Sequence, residues 1–135
     1  MRRFKLLSFP DLEIQENRHT PPVLIEATRQ EGGEEYWVFY NTTRFSGKKL
    51  MVHPGGTFQS RDNGVYDILV WAGQGEYGGF EVEGQNPDLD ELLICHERAV
   101  QPLEVRNTGR EDLVIFTFFG PDINPDVPML PRYAG

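Results

Sequence analysis

HPGGTFQSRDNGVYDILVWAGQGEYGG, residues 53–79, is the stretch whose reading decides the fold. It opens on a turn, Pro54-Gly55-Gly56, and passes a polar run, Gln59-Ser60-Arg61-Asp62-Asn63. A strand-forming run follows at 65–71, VYDILVW, apolar on both faces apart from Asp67, as in a strand covered from each side. The close is Ala72-Gly73-Gln74-Gly75, a turn that glycine at positive φ makes at least cost. Asp62-Asn63-Gly64 reads as hairpin chemistry, because Asn and Gly accept positive φ. Gly78-Gly79, inside an extended run at 76–83, reads as a bulge or a close backbone approach.

Outward from this stretch the chain keeps the same character. Upstream, 35–41 (EYWVFYN) and 48–53 (KKLMVH) are strands by aromatic and β-branched content, and 23–28 (VLIEAT) is another. Downstream, 91–95 (ELLIC), 101–107 and 113–119 (LVIFTFF) are strands divided by Gly, Pro and Asn turns. Residues 1–20 form an edge strand or an ordered arm, since Pro10 interrupts any helical period. The tail 120–135 has four prolines and no period, which makes an extended strap. Nowhere do apolar residues recur at helical spacing over three turns. The expectation is one all-β domain over 1–135, a closed barrel or two packed sheets.

The composition bounds the function. A chain of 135 residues with 39% hydrophobic and 12% aromatic content buries an ordinary core. A net charge of −8 with scattered basic residues excludes a nucleic-acid surface, which needs clustered Lys and Arg. The start, MRRFKLLSF, is too short and too broken by Lys5 and Ser8 for an export signal or a membrane span. A soluble, cytoplasmic protein with no membrane partner is expected. Cys95 is the only cysteine, so no intrachain disulfide can form. The two-sided apolar run at 65–71 favours a homodimer that covers its outer face.

The frame of Pro-Gly-Gly turn, polar patch, apolar strand and Gly-x-Gly turn resembles the first motif of the cupin family. Asn107, in VRNTG, sits where the second motif's asparagine would, and 113–122 (LVIFTFFGPD) resembles the strand after it. The resemblance spans roughly residues 45–122 and implies a single cupin-type β-barrel, the double-stranded β-helix or jelly roll. It implies a metal site only in a typical member. Counting back from Gly73 puts Tyr66 in the family's glutamate position. The two histidine positions fall on Ser60 and Asp62, or on Gln59 and Arg61 if the spacer is one longer. Counting back from Asn107 puts Leu103 on the last histidine. Those side chains do not make a transition-metal quartet. The sequence is similar to metal-depleted cupins near the sugar-isomerase-like group, so no metal and no other cofactor is expected.

The residues expected to bind a small ligand are Gln59, Arg61, Tyr66, His53, His96 and Asp67. Arg61 could fork onto a carboxylate or phosphate, with Gln59 on the same face of an extended segment. Tyr66 offers a hydroxyl and a stacking face. His53 ends a strand, and His96 follows another. Asp67, if buried among its apolar neighbours, would need a partner or a proton. Cys95 lies in phase with Leu93 and reads as a core residue. Three functions follow: a cupin binding a small polar, sugar-like ligand without metal; a metal-dependent isomerase or oxygenase with displaced ligands; or an interaction domain whose barrel is filled by its own side chains.

Overall fold

The structure is a computed structural model and describes residues 21–42 and 44–129. The expected N-terminal arm (1–20) and the end of the strap (130–135) lie outside those residues. Ten strands are described: β1 Val23–Leu24, β2 Gly33–Phe39, β3 Ser46–Val52, β4 Thr57–Ser60, β5 Tyr66–Ala72, β6 Gln74–Tyr77, β7 Phe80–Glu83, β8 Glu91–Ile94, β9 Leu103–Asn107 and β10 Leu113–Phe119. A 3-10 turn at Glu26–Thr28 and one helical turn, α1 at His96–Ala99, are the only helical pieces among the described residues. No described helix is long and apolar enough to cross a membrane. Every strand pairing is antiparallel.

The strands form a six-stranded sheet in the order β1-β2-β3-β10-β5-β8 and a four-stranded sheet in the order β4-β9-β6-β7. Successive strand residues point to opposite faces, and LVIFTFF shows the consequence. Leu113, Ile115, Thr117 and Phe119 are buried, while Val114, Phe116 and Phe118 are half-buried on the outside. The expected all-β, cupin-type jelly roll is the observed architecture. The two sheets are its walls, and the core lies between them.

Register sorts the inner face of the large sheet into rows. Gly33, Val52 and Leu113 make one; Glu35, Leu50, Ile115 and Val70 the next; Trp37, Lys48, Thr117 and Ile68 the next; Ser46, Phe119 and Tyr66 the last. The barrel is therefore apolar at one end and polar at the other. Across from it, Phe58, Val105, Tyr77 and Val82 on the small sheet complete a buried hydrophobic cluster.

Several local expectations change. Asp62-Asn63-Gly64 is a crossover, not a hairpin, because β4 and β5 belong to different sheets, and neither Asn63 nor Gly64 has positive φ. Gly78 (φ 56°) and Gly79 (φ 93°) make the tight β6–β7 hairpin turn, not a bulge. The polar run before Arg61 is itself a strand, β4. The run at 91–95 stops at Ile94, and Cys95 precedes α1, exposed instead of buried. Asp67 points outward, opposite Leu93 of β8, and is exposed. Its apolar neighbours Ile68 and Val70 face the core on alternate positions, so the carboxylate stays in water.

The cupin asparagine position is structural. Asn107 is buried, donates from Nδ2 to the carbonyls of Val52 (2.8 Å) and Glu111 (2.7 Å), and accepts at Oδ1 from the Gly109 amide (2.8 Å). It ties the end of β9 to β3 and shapes the turn into β10.

Candidate functional site

The polar end of the barrel is built by alternation on β2, β3, β4 and β5. In β3 (SGKKLMV) Lys48 falls in phase with Leu50 and Val52, so its long side chain enters the barrel while Lys49 faces out. In β2, Glu35 falls in phase with Trp37. In β4, Ser60 points inward with Phe58, and Asp62 continues the same phase beyond the strand.

Lys48 and Asp62 meet inside, Nζ to Oδ1 at 2.8 Å, with side chains 8% and 2% exposed. The ammonium also lies 5.1 Å from the Trp37 ring centroid and 5.3 Å from that of Phe119, within cation–π reach. Glu35, 3% exposed, is a second carboxyl buried at this end of the barrel, and its charge is felt by both members of the pair. Beside them, the Tyr66 and Tyr77 hydroxyls share a 2.6 Å hydrogen bond in which either can donate. The Tyr66 ring packs on Phe119 at 5.1 Å.

The electrostatics follow from burial. Burial pushes Glu35 above the usual carboxyl range, against the pull of Lys48. Asp62 is pushed up for the same reason, its hydrogen bond to Lys48 working the other way. Burial alone would lower Lys48, but Glu35 and Asp62 together outweigh it and hold the ammonium above the ordinary lysine range. Tyr66 is pushed up to about 12 by burial, its hydrogen bond to Tyr77 working the other way. Tyr77, fully enclosed and next to Tyr66, goes well above its ordinary value. Two carboxyls thus face one ammonium in a buried setting that raises all three groups above their ordinary values.

Two buried atoms have no hydrogen-bond partner among the described residues, Asp62 Oδ2 and Thr117 Oγ1. Both belong to the same constellation. Thr117 pairs directly with Lys48 across β3 and β10, and the other oxygen of Asp62 holds the Lys48 ammonium.

Of the ligand-binding residues expected from sequence, only Tyr66 lies within this group. Gln59 faces away from the core; its backbone N–H and C=O are bonded to the Gln30 side chain. Arg61 is exposed and donates from Nε to the Val100 carbonyl. Both are on the outer face because Phe58, Ser60 and Asp62 take the inner one. His53 sits near the apolar end, with Nε2 2.9 Å from Glu34 Oε1 and Nδ1 3.6 Å from Asp112 Oδ1. His96 begins α1 on the surface, and Asp67 is on the outer face. The structure does not bring these five together.

The structure selects the shorter spacer for the motif: Ser60, Asp62, Tyr66 and Leu103 are all buried. Their chemistry does not fit a divalent transition ion. Serine, tyrosine and leucine supply no imidazole or carboxylate, and the one carboxylate is bonded to Lys48. Among the described residues no group of three or more His, Cys, Asp or Glu side chains is placed to hold a metal ion. Lys48, Glu35, Trp37, Tyr77 and Thr117 are the site residues that motif counting missed. Their signal was phase: a lysine alternating with Leu50 and Val52, and a glutamate alternating with Trp37.

No protein-family model matches the sequence, and no curated protein sequence matches it. Solved structures do resemble the fold. The Cupin_2 domain of an XRE-family transcriptional regulator from Enterobacter cloacae superposes with a TM-score of 0.52 at 13% identity, over 76% of this chain and 100% of that one. The polyketide cyclase RemF of Streptomyces resistomycificus gives 0.58 at 12% identity, over 84% of this chain and 82% of its own. CapF, a capsular polysaccharide assembling protein of Staphylococcus aureus, gives 0.58 at 16%, over 83% of this chain but only 32% of CapF. The chain has a cupin-like fold.

Proposed function

We propose that this cupin-like domain binds a small hydroxyl-rich ligand, a sugar or sugar derivative, at the polar end of its barrel through its own side chains. The observation that carries the proposal is a pair of buried atoms beside Lys48, Asp62 Oδ2 and Thr117 Oγ1, that meet no geometric hydrogen-bond partner among the described residues, although the Ser60 hydroxyl also acts on the Asp62 carboxyl. A buried polar atom left unpaired costs about 1–3 kcal/mol, so such atoms are rare outside functional sites. A ligand hydroxyl donates to the carboxylate oxygen and accepts from the threonine, and Tyr66 offers a ring to stack on. Catalysis by Lys48 as a Schiff-base amine is disfavoured, because that amine must first lose the proton its carboxylates hold in place. A soluble homodimer is the assembly that goes with this proposal. Leu93 and Val65, 69% and 43% exposed, are apolar groups that a second copy would cover, and light scattering on the eluted protein measures it.

The test is a melting screen of the protein, purified without added metal, against sugars, sugar phosphates and polyols. A ligand at a hundredfold excess over its Kd adds about 2.7 kcal/mol, a rise in Tm on the order of 10 °C. Asp62→Asn and Thr117→Val must both abolish the shift. Elemental analysis of the same sample discriminates a displaced metal site: a molar equivalent of a transition metal, lost in Asp62→Asn, would replace the sugar proposal. No shift with any compound, and no metal, would leave a filled barrel serving as an interaction domain, a role to which the packing of Lys48 between Trp37 and Phe119 already lends itself.

A further inference from the structure

Beyond β10 the chain crosses the polar end of the barrel as a strap, residues 120–129. A groove of about 240 Å³ runs beneath it, between the strap and the β2–β3 connection, with Thr42, Phe45, Asn124, Pro125 and Val127 on its sides and Ser46 among its lining residues. Ser46 is also an inward-facing residue of β3, in the same row as Phe119 and Tyr66 and two positions from Lys48. The groove and the interior thus both border on Ser46, a small side chain.

The strap is held there by polar and apolar contacts. Asn124, buried, donates from Nδ2 to Ser46 Oγ at 2.9 Å. The Asn41 amide donates to the Pro128 carbonyl at 2.9 Å. Ile123 packs against the core. At the base of the strap Asp122 holds φ 65°, a left-handed conformation that Asp tolerates better than most residues. The strap also brings Asp126 close enough to be felt by Lys48 and Asp62. A polar latch, a left-handed residue at the base and an exposed carboxylate are brought together on one short segment.

We infer that this groove is the entrance to the interior site and that the Asn124–Ser46 hydrogen bond is its latch. The inference rests on the binding proposal above, and it names how access to that site is regulated. A ligand reaches Asp62 and Thr117 by displacing Asn124 from Ser46 and lifting the strap about its base at Asp122.

Trp37, which stacks under Lys48, reports opening without any ligand. The chain has two tryptophans, so a Trp71→Phe background isolates Trp37, and acrylamide quenching of its fluorescence measures access. In that background Asn124→Ala and Ser46→Ala should each raise the quenching constant about fivefold, the factor one buried hydrogen bond carries. Combining them should add nothing, since both remove the same bond. Gln30→Ala, which breaks bonds on the outer face of β4, should leave quenching unchanged. If Asn124→Ala fails to fold, Ser46→Ala, which deletes a single oxygen, decides the matter. Quenching unchanged in Ser46→Ala, or effects that multiply in the double variant, would overturn the latch and leave the binding proposal standing. A latch that responds while no ligand is held would overturn the binding proposal alone.

Discussion

Replacing Lys48 by methionine tests the central electrostatic feature of the barrel. Methionine keeps the length and removes the charge, so the 2.8 Å bond to Asp62 is lost and two carboxyls, Asp62 and Glu35, remain enclosed without a cation. Removing one partner of a buried pair costs about 3–5 kcal/mol when the other must stay charged. A carboxyl has a cheaper course, which is to take up a proton. Starting from an ordinary value of 3.8 for Asp62, holding that proton at pH 7 costs at most about 4 kcal/mol, and at pH 5 about 2 kcal/mol. The sign follows from the direction of the shift. A carboxyl raised above its unfolded value contributes stability at low pH and loses it as pH climbs toward the raised value. Lys48→Met should therefore be destabilised by about 4 kcal/mol at pH 7 and by about half that at pH 5, read from urea unfolding followed by tryptophan fluorescence. Adding Asp62→Asn should recover most of the loss at pH 7, because the amide carries no charge to strand. A penalty under about 1 kcal/mol at pH 7, or one equal at both pH values, would refute the paired interior cation; the second result would mean lost packing alone.

Tyr66, pushed up to about 12, is neutral in the folded protein over a range where the unfolded chain ionises, so its contribution to stability should fall by about 2 kcal/mol between pH 10 and pH 12. Tyr66→Phe should be less stable at neutral pH, having removed one of the hydroxyl partners of Tyr77, yet lose less over that alkaline range. Asn107→Ala removes three hydrogen bonds from a buried turn and should cost about 2–4 kcal/mol in the same urea assay, with no effect on ligand affinity. Gly75→Ala places a Cβ 1.9 Å from the Arg106 carbonyl oxygen and should cost at least about 3 kcal/mol. Gly79→Ala meets no atom within 4 Å and should cost only the roughly 1–2 kcal/mol of its positive φ.

The fold was legible where one face of a strand is plainly apolar. The run at 113–119 matched β10 at both ends, and the turn glycines Gly55 and Gly73 do adopt positive φ. Counting from Gly73 with the shorter spacer placed Ser60, Asp62 and Tyr66 correctly on the interior. What the chain concealed was its charged interior. A lysine in a strand is ordinarily solvated, and only the burial of Leu50 and Val52, the next two residues in its phase, reveals that Lys48 is not. Local pattern also cannot say which sheet receives the next strand, so the turn chemistry of Asp62-Asn63-Gly64 pointed to a hairpin where the chain crosses over. Cys95 reads as a core residue only through its phase with Leu93; β8 stops at Ile94, and Leu93 is itself exposed. Asp67 looked costly because a continuous apolar run hides its own alternation. Gln59 and Arg61 were attractive as recognition chemistry, but the inner face at their level was already taken by Phe58, Ser60 and Asp62.

Lys48 differs from a bound metal ion in being covalently part of β3. No chelator can strip it, and no shortage of iron or zinc in the surroundings can leave its place vacant. Its delivery is tied to strand register instead: a one-residue slip of β3 would turn Lys48 out to solvent and drive Lys49 inward, so the cation arrives only when the barrel has been assembled in its correct alignment.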